Sequence, residues 1–251
     1  MNEHLIVALD LNNFAAIKKI VNQLKGLVNF YKVGSIPFTY FGPKIIKFLK
    51  GEGCKVMFDL KYHDIPNTVA KACQGAIELG VDFLTLHTSG GFSMLEEAVK
   101  SALIISESKN IARTKLLGIT VLTSIDEAYF KDLFGDIKRS LDDQVIFFAQ
   151  LARSAGLDGV VASPKEVSII RQQLGKNFLI VTPGIRPAAD IENENNTVAN
   201  DDQARIMTPK EAIKAGADYI VVGRPIIKAS NPQEATRKII KEIEDGYREI
   251  T

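Results

Sequence analysis

Four charged residues of alternating sign lie where they could act together. Asp59 and Lys61 are two positions apart at the end of an apolar run, so an extended chain would direct both side chains to the same side. Asp64 follows shortly after, and Lys32 lies near the end of the preceding predicted strand. Because buried charges are costly to desolvate, such a cluster needs a reason. We interpret it as a catalytic charge array rather than a structural ion-pair network.

A second group of residues favours an anionic ligand such as phosphate. Gly184 precedes Arg186, and Gly223 precedes Arg224, each pair near the end of a predicted strand. Glycine lets backbone N–H groups approach an anion closely, and arginine supplies charge. A helix predicted to open at Arg224 would present its N-terminus to the same anion. Gln203 lies at the far end of the long polar segment after Arg186 and could fold back over a ligand.

Histidines and cysteines are few. His63 and His87 could each act as a base, but a lone histidine is more often a hydrogen-bonded structural residue. The sequence has no His-x-x-x-His, Cys-x-x-Cys or clustered carboxylate–histidine set, so we predict no metal site. Cys54 and Cys73 are expected to pack as small apolar residues with free thiols, which favours a reducing, cytoplasmic location.

The elements that must position these residues are short β-branched or aromatic runs alternating with helical stretches. The predicted strands are Leu5–Leu9, Phe30–Val33, Lys55–Asp59, Phe83–His87, Leu116–Val121, Gly159–Ala162, Phe178–Thr182 and Tyr219–Val222. Strands that alternate with helices predict a parallel sheet with right-handed crossovers. Eight such units over residues 1–251 predict a single-domain (β/α)8 barrel, whose chemistry lies at the carboxyl ends of the strands.

The rival fold is a doubly wound open sheet, which usually begins with a glycine-rich turn after its first strand. The first predicted strand here is followed by Asp10 and has no glycine, so a dinucleotide-binding start is disfavoured. One polar, irregular segment, Ala188–Asp202, is long enough to predict a functional or mobile loop, and we expect it to act as a lid over bound ligand.

The overall charge excludes several function classes. With 31 Lys+Arg and 30 Asp+Glu among 251 residues, the formal net charge is +1, which disfavours a protein that coats nucleic acid or an anionic membrane. No apolar run reaches the roughly 18 residues of a transmembrane helix. The first residues lack the basic and apolar regions of a signal peptide, so a cytoplasmic protein is expected.

A ten-residue motif, Asp59-Leu60-Lys61-Tyr62-His63-Asp64-Ile65-Pro66-Asn67-Thr68, resembles the defining motif of the orotidine 5′-phosphate decarboxylases. The resemblance covers nearly the whole chain. Its other segments, in order, are Val7–Asp10, Tyr31–Gly34, Leu122–Ser124, Thr182–Pro187, Asp202–Arg205 and Val221–Ile226.

The resemblance implies a (β/α)8 barrel that acts as a homodimer with sites near the interface. It implies conversion of orotidine 5′-monophosphate to uridine 5′-monophosphate and CO2, the last step of de novo pyrimidine synthesis. It implies that neither a metal nor an organic cofactor takes part. The expected partners are therefore a small nucleotide substrate and a second copy of the chain, with no nucleic acid and no membrane.

The resemblance also implies a role for each matching residue. Lys61 would be the proton donor within an array completed by Lys32, Asp59 and Asp64, and Asp64 and Thr68 would reach into the partner's site. The substrate contacts would be Asp10 and Lys32 on the ribose, Thr123 and Ser124 by the pyrimidine ring, and Arg186, Gln203, Gly223 and Arg224 on the phosphate.

Three alternatives remain open at this level. A sugar-phosphate decarboxylase of the same superfamily shares the Asp-x-Lys-x-x-Asp pattern but requires Mg²⁺ and takes a linear substrate. A Schiff-base aldolase could use Lys61 or Lys32, although flanking carboxylates argue against the neutral amine that it needs. A non-catalytic nucleotide-binding barrel would keep the arginines but would not need the charge array.

Overall fold

Eight parallel strands close into a barrel in sequence order. The structure, a computed structural model, describes residues 2–135, 138–188 and 205–250. The strands are β1 Leu5–Ala8, β2 Phe30–Gly34, β3 Lys55–Tyr62, β4 Phe83–His87, β5 Lys115–Ile119, β6 Gly159–Val161, β7 Leu179–Thr182 and β8 Tyr219–Val222. Each strand pairs in parallel with its sequence neighbours, and β8 pairs with β1. The predicted (β/α)8 barrel is therefore confirmed, and the open-sheet alternative is excluded.

Helices follow the strands and form the outer layer. They are α1 Phe14–Gln23, α2 Ser35–Phe41, α3 Pro43–Gly51, α4 Pro66–Glu78, α5 Phe92–Lys109, α6 Glu127–Phe134, α7 Leu141–Ser154, α8 Val167–Leu174, α9 Pro209–Lys214, α10 Arg224–Ile227 and α11 Pro232–Arg248. Their starts are set by local capping. Asn13 accepts from the N–H of Ala16 before α1, and Ser140 forms a reciprocal capping box with Asp143 before α7.

Two apolar clusters hold the barrel together. Along each strand, alternate side chains point to opposite faces, so both faces of a parallel sheet must be covered. In β1, Leu5 and Val7 pack outwards against the helices, whereas Ile6 and Ala8 point into the barrel. The inner cluster fills the barrel interior, and its members nearest the carboxyl ends of the strands form an apolar floor.

The third strand differs from its prediction. Seven strands match their predicted bounds to within two residues, but β3 runs three residues past Asp59 and ends at Tyr62. Its pairing with β4 is also irregular, because the register shifts between Phe58 and Tyr62. Within the described ranges, no helix is both long and apolar enough to cross a membrane.

Candidate active site

The carboxyl ends of the strands open into a cavity of about 570 Å³. Nine of the predicted site residues line it, namely Asp10, Lys32, Asp59, Lys61, Thr123, Ser124, Arg186, Gly223 and Arg224. Its floor is apolar and is made of inward-facing strand residues, among them Met57, Ile119 and Val221. A polar rim above an apolar floor suits a ligand with a flat ring and charged substituents.

Four charged side chains form an alternating chain across β1, β2 and β3. Lys32 Nζ lies 3.0 Å from Asp10 Oδ1 and 3.4 Å from Asp59 Oδ2. Lys61 Nζ lies 2.9 Å from the same Asp59 oxygen. Asp59 is therefore shared by two ammonium groups, and Asp10 is the outer end of the chain. The sequence predicted that Lys32, Asp59 and Lys61 would come together, and the structure brings them together.

The chain of charges sets the protonation of its buried members. Burial alone would raise the pKa of Asp59, but Lys32 and Lys61 outweigh it and hold that pKa below its ordinary value. Burial alone would lower the pKa of Lys32, but Asp59 and Asp10 outweigh it and hold that pKa above its ordinary value. At neutral pH, a buried carboxylate and a buried ammonium thus face each other at the wall of the cavity.

Asp59 and Lys61 face the same cavity, as the sequence predicted, although β3 is not regularly extended between them. Lys61 has a φ of 53°, in the left-handed region. That region costs a non-glycine residue about 1–2 kcal/mol. With this backbone, the Lys61 ammonium lies 2.9 Å from the Asp59 carboxylate.

Gly34 lies beside the charged residues, a position for which the sequence predicted no role. It ends β2 and pairs with Asp59 in the β2–β3 register. A Cβ atom at Gly34 would lie 2.9 Å from Lys32 Nζ and 3.2 Å from Asp10 Oδ1. The missing side chain therefore leaves the space in which the Lys32–Asp10 ion pair forms.

The opposite side of the cavity carries cations. Arg186, which is only 8% exposed, follows β7, and Arg224 follows β8. Lys228, which the sequence analysis did not single out, also lines this side. The helix predicted to open at Arg224 does begin there but has only four residues, so the Arg186, Arg224 and Lys228 side chains are the main source of positive charge on this side.

Thr123 and Ser124 line the cavity on the loop after β5. A buried ion pair lies next to this loop, between Arg205 and Glu166. Arg205 Nη2 also donates to the Leu122 carbonyl at 3.2 Å. Arg205 therefore ties the chain that follows the predicted lid segment to the loop that carries Thr123. Arg205 lies in the segment Asp202–Arg205, which resembles the family, but the sequence predicted no role for it.

Two predicted residues do not reach the cavity of their own chain. Asp64 is exposed, and its Oδ1 accepts from the N–H of Ile65 at 2.7 Å. Thr68 lies exposed in the first turn of α4. Neither lines the cavity. Gln203 lies outside the described residues, as does the predicted lid Ala188–Asp202 apart from Ala188.

The two histidines that could have acted as bases lie beside the array rather than in the cavity. The His63 and His87 rings are 5.3 Å apart, and neither residue is among those that line the cavity. Burial, and then the neighbouring His63 and Lys61, lower the pKa of His87. In the described ranges, no three His, Cys, Asp or Glu residues group closely enough to hold a metal ion.

Comparisons with known proteins agree on one family. Residues 3–239 match the model of the orotidine 5′-phosphate decarboxylase / HUMPS family. The chain is 45% identical over 242 residues to a Geotalea daltonii protein named orotidine 5′-phosphate decarboxylase, covering 96% of each chain. It is 44% identical over 242 residues to a protein of the same name from Moorella thermoacetica, covering 96% of this chain and 92% of that one.

A solved structure has the same fold. The crystal structure of orotidine 5′-phosphate decarboxylase from Lactobacillus acidophilus superimposes with a TM-score of 0.81 at 38% identity, over 96% of this chain and 99% of that one. The likeness therefore extends over the whole barrel and includes the strand ends that carry the charged residues.

Proposed function

The chain belongs to the orotidine 5′-phosphate decarboxylase / HUMPS family, and from this we infer that it converts orotidine 5′-monophosphate to uridine 5′-monophosphate and CO2. One observation carries the inference. The Lys61 ammonium is held 2.9 Å from the Asp59 carboxylate, in the cavity that Arg186 and Arg224 also line. This reaction, the last step of pyrimidine synthesis, needs a proton donor at one end of the nucleotide and phosphate-binding cations at the other.

The cavity supports one orientation of the nucleotide. The phosphate would lie with Arg186, Gly223 and Arg224, because arginine binds phosphate oxygens through paired, charge-assisted hydrogen bonds. Gln203 belongs to the same expectation, from its place in the sequence. The pyrimidine ring would lie over the apolar floor, beside Thr123.

Contacts at the opposite end would place the reacting carbon. Asp10 and Lys32 would contact the ribose hydroxyls, and Ser124 would lie with the polar edge of the ring. The ring carbon that bears the carboxylate then faces Asp59 and Lys61.

Lys61 would stabilise and then protonate the negative charge that is left on the pyrimidine ring when CO2 departs. When the bond from C6 to the carboxylate breaks, its electron pair stays on C6, in the plane of the ring, where no carbonyl can delocalise it. An ammonium directed at C6 stabilises that charge and donates the proton that forms the C6–H bond. CO2 leaves, and Lys61 regains its proton from solvent.

Asp59 has two functions in this proposal. Its carboxylate holds the Lys61 ammonium in place before the reaction and lies near the substrate carboxylate that departs. Repulsion between these two carboxylates raises the energy of the bound substrate and is relieved as CO2 leaves. Binding energy from the remote phosphate offsets this repulsion, so the cations on the far side also contribute to the rate.

We also propose that two copies of the chain complete the site. Asp64 and Thr68 lie outside their own cavity, at the edge of the carboxyl face. Large apolar side chains are also exposed after β2, β3 and β4, on the same face of the barrel. They are Tyr40, Ile65 and Phe92, which are 63%, 68% and 43% exposed. Apolar side chains exposed on this face fit a two-fold interface, across which Asp64 would reach the partner's Lys61.

Subunit mixing tests the shared site. Asp64→Ala chains and Lys61→Ala chains, each inactive alone, are unfolded together and refolded at equal concentration. If Asp64 acts across the interface, each mixed dimer has one intact site, so activity should return to about a quarter of the wild-type value. If Asp64 acts within its own chain, the mixture stays inactive, and the shared-site proposal is wrong.

The reaction itself is tested by a spectrophotometric assay. The purified protein is given orotidine 5′-monophosphate with EDTA present, and loss of absorbance with formation of uridine 5′-monophosphate is expected. A parallel reaction contains a linear keto-sugar phosphate and Mg²⁺. Turnover only in the second reaction would reject the proposal in favour of the metal-dependent alternative.

A cytoplasmic location is part of the proposal and is supported by the two buried free cysteines.

A further inference from the structure

Thr85, a buried residue of β4, lies where the pairing register between β3 and β4 shifts. Phe58 pairs with Leu84, and Tyr62 pairs with Leu86. Three residues of β3, at positions 59–61, therefore face the single residue Thr85. Such a bulge leaves backbone groups of the longer strand without their ladder partners, and here the bulged segment includes both Asp59 and Lys61.

The Thr85 hydroxyl forms hydrogen bonds with two residues of the bulged segment, Asp59 and Lys61. The N–H of Lys61 donates to Thr85 Oγ1 at 3.0 Å, so the left-handed backbone of Lys61 has a fixed partner. The hydroxyl proton is donated to Asp59 Oδ1, also at 3.0 Å. A hydroxyl has one donor and two acceptor positions, so it can make both bonds at once. Thr85 itself is 0% exposed.

These two bonds determine which Asp59 oxygen is available for the array. With Oδ1 occupied by Thr85, the other oxygen, Oδ2, faces Lys61 at 2.9 Å and Lys32 at 3.4 Å. The Thr85 Oγ1 atom thus contacts the Lys61 backbone N–H directly and the Lys61 ammonium indirectly, through the Asp59 carboxylate. Small rotations of Asp59 or of the Lys61 backbone would move the proton donor relative to the cavity.

We propose that Thr85 is a positioning residue for decarboxylation, fixing the Asp59 carboxylate and the backbone of Lys61 through one hydroxyl group. The inference rests on the proposed function, because it assigns Thr85 to the geometry of the proton donor. The hydrogen bond from Thr85 also contributes, after the two lysines, to the lowered pKa of Asp59. Loss of that bond should therefore raise the pKa of Asp59.

The test compares Thr85→Val with Thr85→Ser. Valine keeps the shape but removes both hydrogen bonds, whereas serine keeps the hydroxyl. For Thr85→Val, kcat should fall about 10- to 100-fold, the usual range for a lost hydrogen bond to a charged group. KM and the Kd for uridine 5′-monophosphate should stay within about 3-fold, since the phosphate contacts are untouched. The acidic limb of its pH–rate profile should move to higher pH.

Controls separate positioning from a purely structural role. Thr85→Ser should keep kcat within about 3-fold of the wild type. Thr114→Val removes a comparable hydrogen bond, from Thr114 Oγ1 to the Val81 carbonyl at 2.7 Å, at the amino end of the barrel. It should lower the melting temperature and leave kcat unchanged. Thr85→Cys, whose thiol is only a weak hydrogen-bond donor, is measured as a second hydroxyl-free variant. It decides the test if the valine variant folds poorly.

Three outcomes would overturn the inference. They are a hydroxyl-free variant with the wild-type kcat and pH profile, a serine variant as impaired as the valine variant, or a loss confined to KM. Failure of the proposed function is a different result. In that case the wild-type protein itself does not consume orotidine 5′-monophosphate.

Discussion

Replacing Lys61 with alanine tests the central step of the mechanism. At 2.9 Å, the separation between Lys61 Nζ and Asp59 Oδ2, two unit charges in an effective dielectric of about 20 interact by about 6 kcal/mol. An ammonium at a similar distance from the developing carbanion would therefore contribute about four powers of ten to the rate. Proton donation by the same group adds a further factor of about 10²–10⁴.

The expected result for Lys61→Ala is a fall in kcat of at least about 10⁴-fold. Affinity for uridine 5′-monophosphate should change by no more than about 3-fold, because the residues proposed to bind the phosphate follow other strands. The spectrophotometric assay gives kcat, and titration calorimetry gives the Kd for the product.

A matched lysine at the other end of the same strand serves as the control. Lys55 begins β3 and is exposed at the amino end of the barrel, so Lys55→Ala should leave both kcat and Kd unchanged. A kcat for Lys61→Ala within about 100-fold of the wild type would refute the proton-donor role, since general acid catalysis and charge stabilisation would both have been removed. Loss of product binding in a folded variant would instead make Lys61 a binding residue.

Three further predictions concern other parts of the site. Arg224→Ala should raise KM about 10- to 100-fold, through loss of charge-assisted hydrogen bonds to the phosphate. Gly34→Ala should lower kcat/KM about 10-fold by displacing Lys32 Nζ, which lies 2.9 Å from the added Cβ. Because the pKa of Asp59 is lowered in the folded state, its contribution to stability is present above its unfolded pKa and is lost as pH falls through the folded value. Urea unfolding between pH 3 and 7 should therefore show a steeper acid loss of stability for the wild type than for Asp59→Asn.

Each of these has a control and an outcome that contradicts it. Arg237→Ala, at an exposed position on α11, should leave KM unchanged, and an unchanged KM for Arg224→Ala would remove that residue from the phosphate site. Gly51→Ala, whose Cβ would meet nothing within 4 Å, should keep full activity, as Gly34→Ala would if the Lys32 contact were unimportant. Parallel acid profiles of the wild type and Asp59→Asn would show that Asp59 is not stabilised as a carboxylate.

Much of the fold and the cavity could be predicted from the sequence. The strands are marked by short β-branched runs between helical stretches, and both patterns depend on nearby residues alone. Once the strands are in order, the closed parallel barrel brings their carboxyl ends together. Polar residues that follow different strands, such as Asp10, Thr123 and Arg224, then line one cavity although they are far apart in the sequence.

Local backbone geometry was harder to predict than the order of the strands. Strand alternation predicted the right pair, Asp59 and Lys61, but not the left-handed φ of Lys61 within β3. Thr85 has no signal in its own sequence neighbourhood. Its function depends on a register shift between two strands, which arises only when they pair.

The sequence by itself determined the class of chemistry, since the residue types in the motif from Asp59 to Thr68 and the eight-fold alternation of strands and helices are local properties of the chain. Only the tertiary structure decided which groups touch. It placed one Asp59 oxygen between two ammonium groups and the other against Thr85, and it left Asp64 and Thr68 outside the cavity of their own chain. The physical reason is that hydrogen bonds and ion pairs depend on distances of about 3 Å, and between residues far apart in the sequence such distances are set by strand pairing and barrel closure.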